Sequence, residues 1–270
     1  MNKNSTILFR EAIKTHLYTA LELARYYPVK RNISVSRDSS KIALAYVWKE
    51  NYEVLDFSLN VCNSVLNKEY SIEEHIEIDN LAINLIQMEI AENGNIFMLI
   101  DEVDYQGKYS NQFIHNYAIY CYNADGLKLR QEIDLNGNIW MNRKMEISKD
   151  NVLRVVGAYA DEKGEGAAGI CTYDLDCNTL ESNGTHLLPF TENQLAKYRN
   201  ETSMRTNQKG SAKKSGIVDL EITDIVLNPN GSLTIIGEAA YQLSIEQFTT
   251  HIRNSIYVFN ISSDLKYNWM

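Results

Sequence analysis

A strand–turn–strand signature that recurs four times constrains this 270-residue chain more than any other feature. Each copy has two apolar residues at alternate positions, then a polar turn, then a mostly apolar run. The first copy reads Ile33-Ser34-Val35-Ser36-Arg37-Asp38 before Ile42-Ala43-Leu44-Ala45, and the second Met88-Glu89-Ile90-Ala91-Glu92-Asn93-Gly94 before Ile96-Phe97-Met98-Leu99. The third is Met145-Glu146-Ile147-Ser148-Lys149-Asp150-Asn151 before Leu153-Arg154-Val155-Val156, and the fourth Ile225-Val226-Leu227-Asn228-Pro229-Asn230-Gly231 before Leu233-Thr234-Ile235-Ile236. In every copy an Asp or Asn stands three residues after the second apolar position. Alternation gives a strand one buried face, and Asn-Gly or Asp-Asn tolerates the positive φ that a tight hairpin requires. The pattern predicts four β-hairpins.

Beyond each hairpin a further strand is expected, ending at Leu55-Asp56, Tyr122-Asn123, Tyr173-Asp174 and Phe259-Asn260, with turns such as Ala124-Asp125-Gly126 and Ser262-Ser263-Asp264 behind it. Each unit therefore offers three clear strands, and the connecting segment can supply a fourth. The turn residues Asp38, Asn93, Asp150 and Asn230 are 55, 57 and 80 residues apart. A four-stranded propeller blade takes roughly 40 to 50 residues, so the first two spacings suit blades with generous loops. The fold class expected is all-β: a β-propeller-like repeat with about four visible blades, either a ring by themselves or part of a larger one. A β-sandwich, the rival, has no need of the same turn four times.

The third spacing carries an insertion, drawn at residues 186–216. Its core holds Lys197, Arg199, Arg205, Lys209, Lys213 and Lys214 against the single acid Glu201, in a chain of net charge −9. Polar and poor in aliphatic residues, it reads as a flexible, basic surface loop. Residues 1–30 form a separate N-terminal segment, helix or outer strand, and residues 31–270 the propeller-like domain. Phe9, Ile13, Leu17, Leu21 and Ala24 fall at helical spacing behind Ser5 or Thr6, which favours the helix.

The acidic balance argues against nucleic acid as a partner, since phosphate contacts need a basic face. No apolar run of about 18 residues is present for a helical membrane span, and Met1-Asn2-Lys3-Asn4 leads into polar residues rather than an apolar signal core. Seventeen tyrosines against seven phenylalanines suggest half-buried strand positions whose hydroxyls reach water. Cys62, Cys121, Cys171 and Cys177 contain no CxxC pair, and four free, packed thiols are expected, although Cys171 and Cys177 are close enough in sequence for a local bridge.

The order of several motifs resembles a family of uncharacterised β-propeller-type proteins, exported and common in Bacteroidota. The features are an SxSxD turn at Ser34–Asp38 before Lys41-Ile42, a VxD-type strand end at Val54-Leu55-Asp56, and an NGN turn. A YxxDG strand end follows at Tyr122–Gly126, then Leu188-Pro189-Phe190 before the Lys-rich insertion, and a DGG..L.IGE pattern at Asn230–Glu238. The likeness runs from about Arg31 to the C-terminus. It departs from the family pattern in having no signal peptide and in stopping at Trp269-Met270, where the family runs on into further strands. The resemblance implies the fold and a periplasmic or cell-surface location, and supplies no catalytic residues. With no signal peptide in view, a cytoplasmic location stays open.

Motifs that can carry chemistry are few. Gly164-Glu165-Gly166-Ala167-Ala168-Gly169 matches GxGxxG, but a dinucleotide site needs a helix after the loop, and Ile170-Cys171-Thr172-Tyr173-Asp174 reads as a strand. His16, His75, His115, His186 and His251 stand at no metal-ligand spacing, and there is no GxSxG elbow. Glu73-Glu74 and Asp101-Glu102 with Asp104 lack a calcium-loop pattern and read as solvated edges. Asn183-Gly184-Thr185 is a glycosylation acceptor only in a eukaryotic secretory setting. No catalytic residue, cofactor or metal-ligand set is assigned.

The function expected is a non-catalytic binding or scaffold module of the cell envelope or exterior, holding a protein or glycan on a propeller face. One alternative is a glycan-directed hydrolase or lyase with acids lining the channel. Another is a structural fragment of a larger propeller that self-associates through an open sheet edge.

Overall fold

The computed structural model describes residues 30–48, 54–78, 81–105, 113–160, 166–196, 217, 220–245 and 248–269. Sixteen strands account for nearly all of them. The first sheet holds β1 (Lys30–Val35), β2 (Lys41–Trp48), β3 (Val54–Asn63) and β4 (Lys68–Glu77), and the second β5 (Leu81–Ile90), β6 (Ile96–Tyr105), β7 (Phe113–Asn123) and β8 (Gly126–Ile133). The third holds β9 (Ile139–Ile147), β10 (Val152–Ala160), β11 (Gly169–Asp176) and β12 (Ser182–Pro189), and the fourth β13 (Leu220–Leu227), β14 (Leu233–Ile245), β15 (Phe248–Ile261) and β16 (Tyr267–Trp269). Within every sheet the strands lie in sequence order, so each is an up-and-down meander with the order of a propeller blade. The chain is all-β, a repeat of four blade-like sheets.

The four hairpins share one turn pattern, with one extra residue in the first. Ser39, Gly94, Asn151 and Gly231, each directly after the Asp or Asn of the signature, have φ of 60°, 87°, 61° and 80°. In each turn that residue's N–H donates three residues back, to Ser36, Ala91, Ser148 or Asn228, whose own N–H donates across to Lys41, Asn95, Val152 or Ser232. This is the longer hairpin loop with one left-handed residue, not a two-residue turn with two. Asp38, Asn93 and Asn230 each accept from the N–H two residues on, at 3.0, 2.9 and 3.1 Å, which explains the side-chain type at that position.

The expected third-strand ends need correction. Cys62, Tyr122, Leu175 and Ile261 are the residues paired with the starts of the second strands, Ile42, Ile96, Leu153 and Leu233. Only Tyr122-Asn123 is placed correctly. Tyr173-Asp174 and Phe259-Asn260 fall two residues early, and Leu55-Asp56 lies at the beginning of β3. An apolar residue followed by Asp or Asn recurs along an alternating strand, so the pattern does not define its end. β12 runs through His186 to Pro189, residues that the sequence pattern assigns to the insertion. Residues 192–196 form a helical turn. The basic core of the insertion and the expected N-terminal helix lie outside the described residues.

Contacts divide the chain into two units, Met1–Arg130 and Gln131–Met270. In the first, one face of the first sheet (Ala43, Ala45, Val47, Leu55, Phe57, Leu59, Val61) packs on one face of the second (Met88, Ile90, Ile96, Met98, Ile100, Ala118, Tyr120, Tyr122). The Phe57 and Tyr122 rings meet edge to face at 5.3 Å. In the second unit Val156, Ala158 and Ile170 pack with Ile222, Ile225, Leu233, Ile235 and Phe259, and Phe190 stacks on Phe259 at 5.4 Å. Asn142 of β9 joins the same two sheets by donating to the Leu220 carbonyl at 2.8 Å and accepting from the Ile222 N–H at 3.0 Å. Tyr117, Tyr120, Tyr122 and Tyr173 are buried, so part of the tyrosine excess fills core rather than half-buried positions.

Gly157, in the middle of β10, marks a close approach. A Cβ there would stand 2.6 Å from the Asn142 carbonyl oxygen and 2.7 Å from the Trp140 ring. Neither a paired backbone nor a buried indole can retreat cheaply. Gly157→Ala is expected to lower stability by about 1–3 kcal/mol, read as a lower urea midpoint with unchanged far-ultraviolet circular dichroism.

Candidate functional site

The first unit opens at one end. β1 and β5, the first strands of its sheets, lie against each other, whereas β4 and β8 stand at the far ends of the two strand orders. Between β4 on one side and β7 and β8 on the other lies a groove of about 390 Å³, lined by Glu74, His75, Ile76, Glu77, Ile78, Tyr120, Tyr122, Leu127 and Arg130. That is enough for a side chain or two, or one sugar ring, at the lower end of ligand-site volumes.

A buried carboxylate underpins this groove. Along β6 the residues Ile96, Met98 and Ile100 point into the core, and by alternation Glu102 continues the same face. It is 1% exposed. The Tyr120 hydroxyl donates to Glu102 Oε1 at 2.8 Å, and Arg130 of β8 donates from Nη2 to Oε2 at 2.7 Å and from Nε to Oε1 at 3.2 Å. Arg130 Nε also donates to the Tyr120 hydroxyl at 3.0 Å, and its guanidinium lies 5.8 Å from that ring's centre. A carboxylate this buried survives as an ion only with a bonded counter-charge, which Arg130 supplies in a bidentate grip. Burial, then the bond to Glu102, pushes the Tyr120 hydroxyl up to about 12. Burial, with Glu74 nearby, also raises the neighbouring Tyr122. Both remain protonated phenols at neutral pH.

Also on β4, His75 Nδ1 lies 2.8 Å from Asp56 of β3, and its Nε2 3.5 Å from Glu77. The bond to Asp56 and then that to Glu77 raise the imidazole above its ordinary value. Glu74 is half-buried in the groove, and Glu73 is exposed. On the opposite face of β6, Asp101 is buried and bonded to His115 Nδ1 at 3.0 and 3.1 Å, with His115 stacked on Tyr117.

The acid clusters therefore divide. Glu73 fits the solvated-edge reading, whereas Asp101 and Glu102 overturn it: both are interior groups held by His115 and by Arg130 with Tyr120. Asp104 is half-buried. Sequence patterning shows where charges cluster but not which way a strand faces. Among the described residues no group of three or more His, Cys, Asp or Glu is placed to hold a metal ion. Of the histidines, His75 and His115 pair with acids, His186 lies in β12 and His251 in β15, and His16 lies outside the described residues. Gly169 of the GxGxxG stretch opens β11, a strand as expected, while Gly164 and Glu165 lie outside the described residues. All four cysteines are free and buried, and burial pushes the Cys121 and Cys171 thiols up to about 12. They are packing groups, not nucleophiles.

Sequence reasoning did not single out Tyr120, Leu127 or Arg130, and took Tyr122 only as a strand end. Arg130 is one charged residue in a strand of alternating polar character, and nothing local distinguishes it from a solvated one.

No family model matches the sequence, and no curated protein matches it. Among solved structures it is similar to a β-1,3-galactosidase of the GH43 kind, at 8% identity over 89% of this chain and 44% of that one, with a TM-score of 0.43. It is also similar to the cobalt-substituted apocarotenoid oxygenase of Synechocystis (8% identity, 88% and 48% coverage, TM-score 0.45). A third likeness is to a subtype N10 neuraminidase-like protein of the virus A/little yellow-shouldered bat/Guatemala/060/2010 (13% identity, 58% and 43%, TM-score 0.35). The chain spans about half the length of the first of these or less. Likeness this slight says nothing of activity, and the propeller-like assignment rests on the four sheets themselves.

Removing the Glu102 charge takes from the Arg130 guanidinium the buried carboxylate that it grips at two points. Glu102→Gln is expected to cost about 2 kcal/mol of unfolding free energy, against no more than about 0.5 kcal/mol for Glu73→Gln; urea titrations of both variants measure this. His75 is expected to titrate above the ordinary imidazole value of about 6.5, and Asp56→Asn should bring it back down, both followed by NMR. Because its folded value is raised, the stability that His75 contributes is present in full below about pH 6.5. It is lost as the pH rises through the folded value.

Proposed function

We propose that this chain is a non-catalytic binding module whose first unit holds an extended protein segment in the groove between β4 and β7–β8. What supports the reading is the make-up of the groove. Ile76, Ile78 and Leu127 supply apolar wall and the two tyrosines a floor, while Glu74, Glu77 and Arg130 add charge of both signs. Such a mixture suits peptide side chains better than a neutral sugar, which calls for a flat aromatic platform and many hydroxyl partners.

The acids do not favour the hydrolase reading. A glycosidase needs two carboxylates facing each other across the bond to be broken. Among the described acids of this unit, Glu102 is engaged by Arg130 and Tyr120, Asp101 by His115, and Asp56 and Glu77 by His75, while Glu74 lines the groove from the same strand as Glu77 rather than across from it. The groove also lies by the last strands of its sheets, whereas a propeller channel is lined by the first. Export to the cell envelope or exterior belongs to the same proposal, and rests on the family resemblance alone.

Leu127 is half exposed, so its replacement can block the groove without touching the core. The chain and its Leu127→Glu variant, applied to a library of extended peptides and to a glycan array, test the reading. Peptide binding weakened about tenfold or more by Leu127→Glu, corresponding to about 1.4 kcal/mol, is the expected result. Binding that the variant leaves unchanged would remove the groove from the function. Glycan binding in place of peptide would make the ligand a carbohydrate.

A further inference from the structure

The repeat lets the two units be compared position by position. Ile42 and Leu153 hold the same place in the hairpin signature, so Val47, opposite Phe57, corresponds to Ala158, opposite Ile170. One strand further on, Phe57 lies opposite Glu74 and Ile170 opposite Leu188. Two residues along, Ile76 lies opposite Leu55, and the Phe190 N–H donates to the Ala168 carbonyl at 2.8 Å. Leu188 and Phe190 therefore stand in the second unit where Glu74 and Ile76 stand in the first. By the same register, Phe259 holds the place of Tyr120 in the other sheet of each unit.

The second unit joins its last strands through rings. Phe190 stacks on Phe259 and lies 6.0 Å from Tyr267 of β16, whose hydroxyl donates to the Leu188 carbonyl at 2.8 Å. In the first unit Tyr120 is in place, but β4 sets aliphatic Ile76 where the other unit has Phe190, and β8 contributes Leu127. The groove opens between these residues. Its charge is also one-sided. Arg130 is matched by Glu102, and Glu77 lies beside His75. Glu74, half-buried on the face of β4 that carries Ile72 and Ile76, has no ion pair among the described residues.

We propose that the segment held in this groove carries an aromatic residue, set between Ile76 and Leu127 over the tyrosine floor, with a basic residue two positions away at Glu74. The inference rests on the peptide-binding reading of the groove and specifies what that peptide must present. A ring between the two aliphatic walls removes apolar surface from water, and does for the first unit what Phe190 and Tyr267 do for the second. The spacing follows from strand geometry. Glu74 and Ile76 are alternate residues on one face of β4, and an extended segment running beside β4 sets its own alternate residues at the same interval. A cation at Glu74 completes the one charge of the groove that lacks a partner.

Short peptides of serine and threonine carrying one phenylalanine, with a lysine two positions before or after it, test this by calorimetric titration of the full chain. Exchanging the phenylalanine for alanine is expected to weaken binding about tenfold or more, and exchanging it for leucine to weaken it less. A glutamate in place of the lysine should also weaken binding, and Glu74→Lys should reverse that preference. Ile76→Phe supplies the ring from the chain itself and is expected to abolish binding with circular dichroism unchanged. Should that variant unfold, the peptide series and the charge reversal at Glu74 decide the matter. Peptides that bind in a manner sensitive to Leu127→Glu, yet favour neither a ring over leucine nor lysine over glutamate, would overturn the inference and leave the groove a peptide site. If no peptide shows that sensitivity, the reading of the groove falls and the inference with it.

Discussion

The structure depends on the burial of sheet faces against one another. An isolated four-stranded meander with apolar side chains on both faces cannot satisfy itself, because each strand sends alternate residues to opposite sides. Stacking the next sheet on it buries one face of each. In the first unit the small residues Ala43 and Ala45 let the second sheet approach closely, and Met98, Ile100 and Tyr122 fill the space between. The same logic operates in the second unit, where Asn142 adds a polar tie to the backbone of β13 across the interface. Everything else, including the groove, follows from two sheets that touch at their first strands and stand apart toward their last.

Charge enters this packing only where it is neutralised. Glu102 occupies a position that the alternation of β6 assigns to the core, and Arg130 with Tyr120 makes that placement tolerable. The pair also holds the Arg130 guanidinium and the Tyr120 ring at the groove, which turns a structural necessity into a shaped surface. Arg154 and Asp174, directly opposite each other on β10 and β11 and bonded at 2.6 Å, form a comparable pair in the second unit. In both places a single sheet orders the ion pair, so its geometry is set by strand register rather than by loops.

Hairpin chemistry was readable because it is local. A residue in the left-handed region follows the Asp or Asn of each signature, and at Asp38, Asn93 and Asn230 that side chain caps its own turn. Strand ends were less legible, since nothing in Leu55-Asp56 differs chemically from Tyr122-Asn123. Orientation was not legible at all for the acids: Glu73 and Glu102 each sit in a short acidic cluster, yet one is exposed and the other interior. The groove residues come from β4 of the first sheet and from β7 and β8 of the second, well separated from it in the sequence. No local pattern reports that such strands converge.

By itself, the sequence determined the all-β class, the four hairpins and the residue type at each turn, because those depend on φ preferences and on side-chain alternation within a few residues. Only the tertiary structure decided which acids are buried and which tyrosines line the groove. Those outcomes depend on what lies on the far side of each sheet. A strand carries the same alternation whether its face meets another sheet or water, and the difference arises only when the sheets are stacked.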